Sequence, residues 1–170
     1  KVTELQIPVQ IGAQNISEFD AGAYTGEVYG AQIKDFATHV IIGHSERKRY
    51  NNETDEQVLK KAEQAHKSGL SIIQCVQDGN SAISDLVDII AYEPPSAIST
   101  FGTGVPDDPD DVERVLGVIS QKNPGKVLLY GGSVNHDTIG MYDKIENCSG
   151  FLVGSASLDA STFLSLSTAC

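Results

Sequence analysis

Six short runs constrain what this chain can fold into: IPVQIGA (7–13), HVIIG (39–43), LSIIQCV (70–76), DIIAY (88–92), KVLLYGG (126–132) and GFLVGS (150–155). Most are apolar almost without interruption rather than alternating with polar residues. A strand that is apolar on both sides is covered on both faces, the condition of a parallel sheet flanked by helices.

The stretches between the runs carry helical punctuation. In TDEQVLKKAEQAHKSG, Thr54 with Gln57 three residues on forms a capping box. Val58, Leu59, Ala62 and Ala65 fall on one face, and Gly69 suits the stop. In DPDDVERVLGVISQKNPG, Asp108 caps, Pro109 fits the first turn, and Asp110 and Asp111 sit where the helix dipole favours acids. Val112, Val115, Leu116 and Ile119 make the buried stripe. Shorter helices are expected over about 30–36, 135–145 and 159–168, with one or two turns squeezed between Cys75 and Ile89, because a parallel crossover needs about a dozen residues. The order is six β/α units in one domain over residues 1–170, without linker or repeat. Such a series builds either a doubly wound sheet or a barrel.

Charge removes one class of function. With 12 basic and 23 acidic residues the net charge is −11, a surface that repels nucleic acid. No run reaches the ~18 apolar residues of a membrane span, and no charged-then-apolar leader opens the chain, so no membrane association and a cytoplasmic location are expected. Cys75, Cys148 and Cys170 lack metal-ligand or CxxC spacing and read as reduced, packed thiols.

In both folds open to the chain, functional groups collect where strands end and loops begin. Gln14, Asn15 and a long loop (15–29) follow the first run; His44, Ser45 and Glu46 follow the second; Glu93 follows the fourth; GGSVN and GSASL follow the last two. Each has a plain structural reading alone. A histidine after a strand finds backbone partners, a glutamate caps a strand end, and glycine–serine pairs make turns and helix caps. His39, His66 and His136 keep that reading, and ERKR (46–49) reads as a solvated helix start.

The order of the motifs changes the balance. GAYTGE, VIIGHSER, AYEP, LLYGGSV and GFLVGSASL, in that sequence along the chain, resemble the triosephosphate isomerase family, whose fold is the (βα)8 barrel. The resemblance implies an α/β TIM-barrel-type fold truncated to about six units, with the N-terminal βαβα portion absent. It implies interconversion of dihydroxyacetone phosphate and glyceraldehyde 3-phosphate in glycolysis and gluconeogenesis, with no cofactor and no metal. By motif, Glu93 resembles the base, His44 the neutral electrophile and Glu46 a second acid that hydrogen-bonds the catalytic groups. Ser133, Gly154 and Ser155 resemble phosphate-binding positions, as does Ser99 or Gly102 of the lid PPSAISTFGTG. The family's Asn-x-Lys motif has no match in these residues, so weakened activity is expected. Gln77 and Asp78 stand where the family has Gly and Glu, and Ser155 where it has a second glycine. The alternative reading is an inactive truncated barrel that keeps the fold and a phosphate site as an oligomerising module; action on another phosphorylated carbonyl compound ranks below both. Because six strands cannot close an eight-stranded barrel, a homo-oligomer is expected, with loop 15–29 as candidate interface, or pairing with a separate N-terminal piece.

Overall fold

The computed structural model describes residues 9–96 and 106–168. Its centre is a five-stranded, wholly parallel sheet in the sequential order β1 (Gly12–Ala13), β2 (His39–Ile42), β3 (Ser71–Val76), β4 (Ile89–Tyr92) and β5 (Val127–Tyr130). Gly12 pairs beside His39, Val40 beside Ile72, Ile73 beside Ile89, and Ile90 beside Leu128. The sixth apolar run joins as a single parallel bridge, Tyr130 to Phe151, flanked by Tyr130 N–H to Gly150 O (3.0 Å) and Leu152 N–H to Tyr130 O (2.9 Å). Among the described residues β1 and β5 do not pair, so the barrel is open.

Among the described residues five α-helices accompany the strands: α1 (Gly30–Lys34), α2 (Ser45–Asn51), α3 (Asp55–Lys67), α4 (Pro109–Lys122) and α5 (Ala160–Ser167). The capping box of Thr54 and Gln57 starts α3, and Asp108 accepts the Asp110 N–H at the start of α4. α3 lies against β2 and β3, and α4 against β5. Val58, Ala62 and Ala65 of α3 and Val112, Leu116 and Ile119 of α4 are buried with Val40, Ile42, Ile72, Ile90 and Leu128 of the strands. Removing that apolar area from water is the main term holding the layers together. No helix of the described residues is long and apolar enough to cross a membrane.

Two expected helices are corrected. Between Val76 and Asp88 no helix forms: Asp78 Oδ1 takes the Asn80 N–H (2.7 Å) and Ser81 hydroxyl (3.2 Å), while Gln74 Oε1 takes the Ser84 N–H (3.1 Å). Over 135–145 only one turn of 3-10 helix forms, Ile139–Met141. There Asn135 Oδ1 accepts the N–H groups of Asp137 (2.9 Å) and Thr138 (3.2 Å), offering the backbone a turn in place of a helix.

Candidate active site

Four strands of the sheet, β1, β2, β4 and β5, and the bridge at Phe151 release their next residues toward one cleft of about 570 Å³. Gln14 and Asn15 come from β1, His44, Glu46 and Arg47 from β2 and α2, Glu93 from β4, Gly131 and Gly132 from β5, and Leu152 to Ser155 from beyond the bridge. The cleft therefore lies at the carboxyl ends of the strands, where barrel sites are built.

His44 is placed by a sharp turn. Gly43 has φ +68, and a Cβ there would stand 3.1 Å from the Cys75 carbonyl oxygen and 3.2 Å from a Val58 methyl. Only glycine meets both demands without strain, and the turn makes His44 the cap of α2. Its Nδ1 accepts the Glu46 N–H at 3.3 Å, so this nitrogen carries no proton and Nε2 is the one that does in the neutral ring. Nε2 stands 3.0 Å from Glu93 Oε1. The other oxygen of Glu93 accepts the Ser45 N–H at 3.0 Å. Only 4% of the Glu93 side chain is exposed against 30% of His44, so the carboxylate is sheltered while the ring is the more open of the two.

The hydrogen bond to Glu93 raises the His44 pKa above its ordinary value; burial opposes this, and the charges of Glu93, Glu46 and Glu53 add to it. Gly131 allows the carboxylate its position, since a Cβ there would meet Glu93 Cγ at 3.1 Å. Cys75 is fully buried in β3 and burial pushes its thiol well up, in keeping with a packing role.

Behind the cleft, buried Glu53 accepts from Arg47 Nε at 2.8 Å and from buried Lys61, which also donates to Asn15 Oδ1 at 2.8 Å. Burial alone would push the Glu53 carboxyl up, but the hydrogen bonds and charges of Lys61 and Arg47 outweigh it and hold it below the carboxylate range. The triad thus braces two residues of the cleft wall, Asn15 and Arg47.

Of the residues singled out by sequence, His44, Glu46, Glu93, Gly154 and Ser155 share the cleft. Ser133 stands beside the wall: Gly131 and Gly132 line it, while the Ser133 carbonyl accepts the Thr138 hydroxyl at 2.9 Å. Ser99 and Gly102 lie outside the described residues. Arg47 was passed over within ERKR. Its signal was position, three residues after His44 on a helix that begins at the strand's end.

A parallel β/α sheet of barrel type, with a histidine and a carboxylate in contact where the strands end, defines the class to which this chain belongs. The sequence model of the family described as triosephosphate isomerase matches residues 1–170. The triosephosphate isomerase of Leifsonia xyli subsp. xyli is 38% identical over 189 aligned positions, covering 95% of this chain and 73% of that protein. That of Coxiella burnetii is 34% identical, covering 98% and 77%. The crystal structure of triosephosphate isomerase from Bartonella henselae superposes with a TM-score of 0.81 at 28% identity, covering 98% of this chain and 79% of that one. This chain is a member of the triosephosphate isomerase family.

Proposed function

We propose that the cleft interconverts dihydroxyacetone phosphate and glyceraldehyde 3-phosphate by proton transfer through an enediolate. Glu93 takes a proton from the carbon beside the carbonyl; the electron pair of that C–H bond forms the C=C bond of the enediolate, and the carbonyl π pair moves onto its oxygen. His44 Nε2–H gives its proton to that oxygen as charge develops and takes the proton of the neighbouring hydroxyl in return. The hydroxyl oxygen then forms the new carbonyl as the C=C pair takes the proton held by Glu93 onto the other carbon. In this family a glutamate base and a neutral histidine electrophile are the established pairing. The observation that carries the reading is the tautomer: the Glu46 N–H on Nδ1 leaves the proton on Nε2, facing Glu93.

The raised His44 pKa fits this reading once the substrate is considered. Its largest cause is the hydrogen bond to Glu93, which must break for the carboxylate to reach a carbon and Nε2 to reach an oxygen. The start of α2 further opposes a positive charge. Substrate entry therefore returns the imidazole toward neutrality, the form whose acidity suits an enediolate. Glu46, which also lines the cleft, serves through its backbone N–H on His44. The phosphate lies between Gly131–Gly132–Ser133 and Gly154–Ser155, with Ser99 or Gly102 of the lid as a further donor, no cofactor or metal taking part. The described cation at the cleft is Arg47, held by Glu53, so these 170 residues by themselves turn over more slowly than a site with a free cation, by about 10²-fold or more.

The chain works as one cytoplasmic domain, and its copies associate through loop 15–29. The loop's stacked Phe19 and Tyr24 rings (4.3 Å between centroids) and half-exposed Val28 support that contact. A coupled assay with glyceraldehyde 3-phosphate tests the reading. Glu93→Gln should lose about 10³-fold in rate; equal rates for the variant and the unaltered chain would leave only an inactive module that keeps the fold.

A further inference from the structure

The turn at the phosphate end of the cleft does not set its own shape. Gly131 and Gly132 follow β5 and line the cleft, and two successive glycines leave φ and ψ widely open. Other groups therefore hold the turn. The Gly131 N–H donates to the Tyr92 carbonyl at 2.8 Å, and the Val134 N–H donates to the Gly132 carbonyl at 2.9 Å. The Ser133 carbonyl accepts the hydroxyl of Thr138 at 2.9 Å. Of these three bonds, the last alone comes from a side chain.

Thr138 stands on the buried side of the turn. It is buried, as are Val134 and the adjoining Ile139, and among the described residues it takes no part in the cleft wall. Its hydroxyl has one proton and two lone pairs. The proton goes to Ser133 O, the nearer of two carbonyls in reach (Asn135 O is at 3.4 Å), and a lone pair takes the Asn135 N–H at 3.0 Å. The Thr138 N–H is held in turn by Asn135 Oδ1 at 3.2 Å. Residues 133–135 are thus tied to the start of the Ile139–Met141 3-10 helix. A trans peptide points its N–H opposite its carbonyl, so with Gly132 O turned to Val134 the Ser133 N–H points the other way. A Ser133 carbonyl released by Thr138 could swing toward the cleft. There its dipole would repel a dianion, which successive backbone N–H groups bind.

We propose that Thr138 is a positioning residue for the substrate phosphate: by holding the Ser133 carbonyl on the buried side, its hydroxyl keeps the N–H groups of Gly132 and Ser133 turned to the cleft. The inference rests on the isomerase reading, which puts the phosphate between this turn and Gly154–Ser155, and adds to it a residue that touches no substrate atom. The effect belongs to the phosphate end, so it bears on how phosphorylated ligands are held and leaves the chemistry of His44 and Glu93 as it is.

The test uses Thr138→Val, which removes the hydroxyl at nearly constant volume, with Thr138→Ala and Thr138→Ser. Inorganic phosphate is titrated against the amide NMR resonances of Gly132 and Ser133. In parallel, kcat/KM is measured for glyceraldehyde 3-phosphate and for glyceraldehyde, which has no phosphate. Thr138→Val and Thr138→Ala should each weaken phosphate binding about fivefold, the effect of one net hydrogen bond, and lower kcat/KM for glyceraldehyde 3-phosphate as much. Neither should change kcat/KM for glyceraldehyde, and Thr138→Ser should restore the phosphate affinity. The inference is overturned by amide resonances that ignore phosphate in the unaltered chain, or by unchanged phosphate affinity in Thr138→Val. Equal losses with and without the phosphate, or a Thr138→Ser as poor as Thr138→Ala, would overturn it too. If the valine and alanine variants both fail to fold, the hydroxyl belongs to the fold rather than the site, and the inference falls. An unaltered chain no faster than Glu93→Gln overturns the isomerase reading, and the phosphate titration, which needs no turnover, then decides for Thr138 by itself.

Discussion

His44 meets two opposed demands. Catalysis in this reading wants a neutral ring, whereas the resting site, with Glu93 on Nε2 at 3.0 Å, favours a charged one. The conflict is visible as stability. The folded pKa of His44 lies above its ordinary value, chiefly through the Glu93 hydrogen bond. A group raised in the folded state contributes its full stabilisation below the unfolded pKa, near 6.5, and loses it as pH rises through the folded one. His44→Gln should therefore unfold at lower urea than the unaltered chain at about pH 5.5, by no more than about 1 kcal/mol for a partly exposed pair, and the gap should close by about pH 8. A gap that stays constant or widens with pH would remove the charged pair from the resting site. The identity of His44 and Glu93 as candidates was legible from their places after strands, but their contact was not, since the two are 49 residues apart and only the β2–β3–β4 pairing brings them together.

At the scale of elements, the junction of β2 and α2 decides how the ring is presented. Gly43 there has φ +68 and no room for a Cβ against the Cys75 carbonyl oxygen at 3.1 Å, a backbone atom of β3 that cannot give way cheaply. Gly43→Ala should cost about 1–3 kcal/mol in chemical denaturation, and it should lower kcat further in protein that remains folded, because the cap geometry of His44 moves with the turn. Full stability in the variant would mean that the turn does not require glycine. Other elements were read from sequence according to how strongly local signals agreed. α3 and α4 have cap, stripe and stop in one register, and both formed as expected. In the segments after β3 and β5 backbone N–H groups are taken by the side chains of Asp78, Asn135 and, from within β3, Gln74, and local bonding overrode the helix that chain length suggested. The last apolar run could not show how little of it would pair. That depends on a neighbour on its far side, and among the described residues Phe151 pairs with Tyr130 alone.

At the scale of the molecule, the sheet of the described residues is open, and an open sheet leaves edges. Among the described residues the outer sides of Gly12–Ala13 and Phe151 are strand edges, and edges pair with other chains unless covered. Leu158 is 88% exposed and Leu164 65%, so the region beyond the bridge also shows apolar surface. Two surfaces can thus bring copies together, and they differ in what they predict. Association through the open side should depend on Leu158 and Leu164. Association through loop 15–29 should depend on Phe19 and Tyr24, whose near-parallel rings (7° apart) form a ready-made flat apolar face. We expect the second. Phe19 is 40% and Tyr24 47% exposed, so each has about half a side chain left to bury, worth ~1 kcal/mol apiece. With the loop of both copies in the contact, removing both rings from each should weaken association by about 10³-fold. Sedimentation equilibrium over a range of concentrations should show Phe19→Ser/Tyr24→Ser moving toward monomer, while Leu158→Ser/Leu164→Ser keeps the association of the unaltered chain. The reverse pattern would assign the contact to the open side of the barrel, and the stacked pair would then serve only to stiffen the loop that begins at Asn15 in the cleft wall.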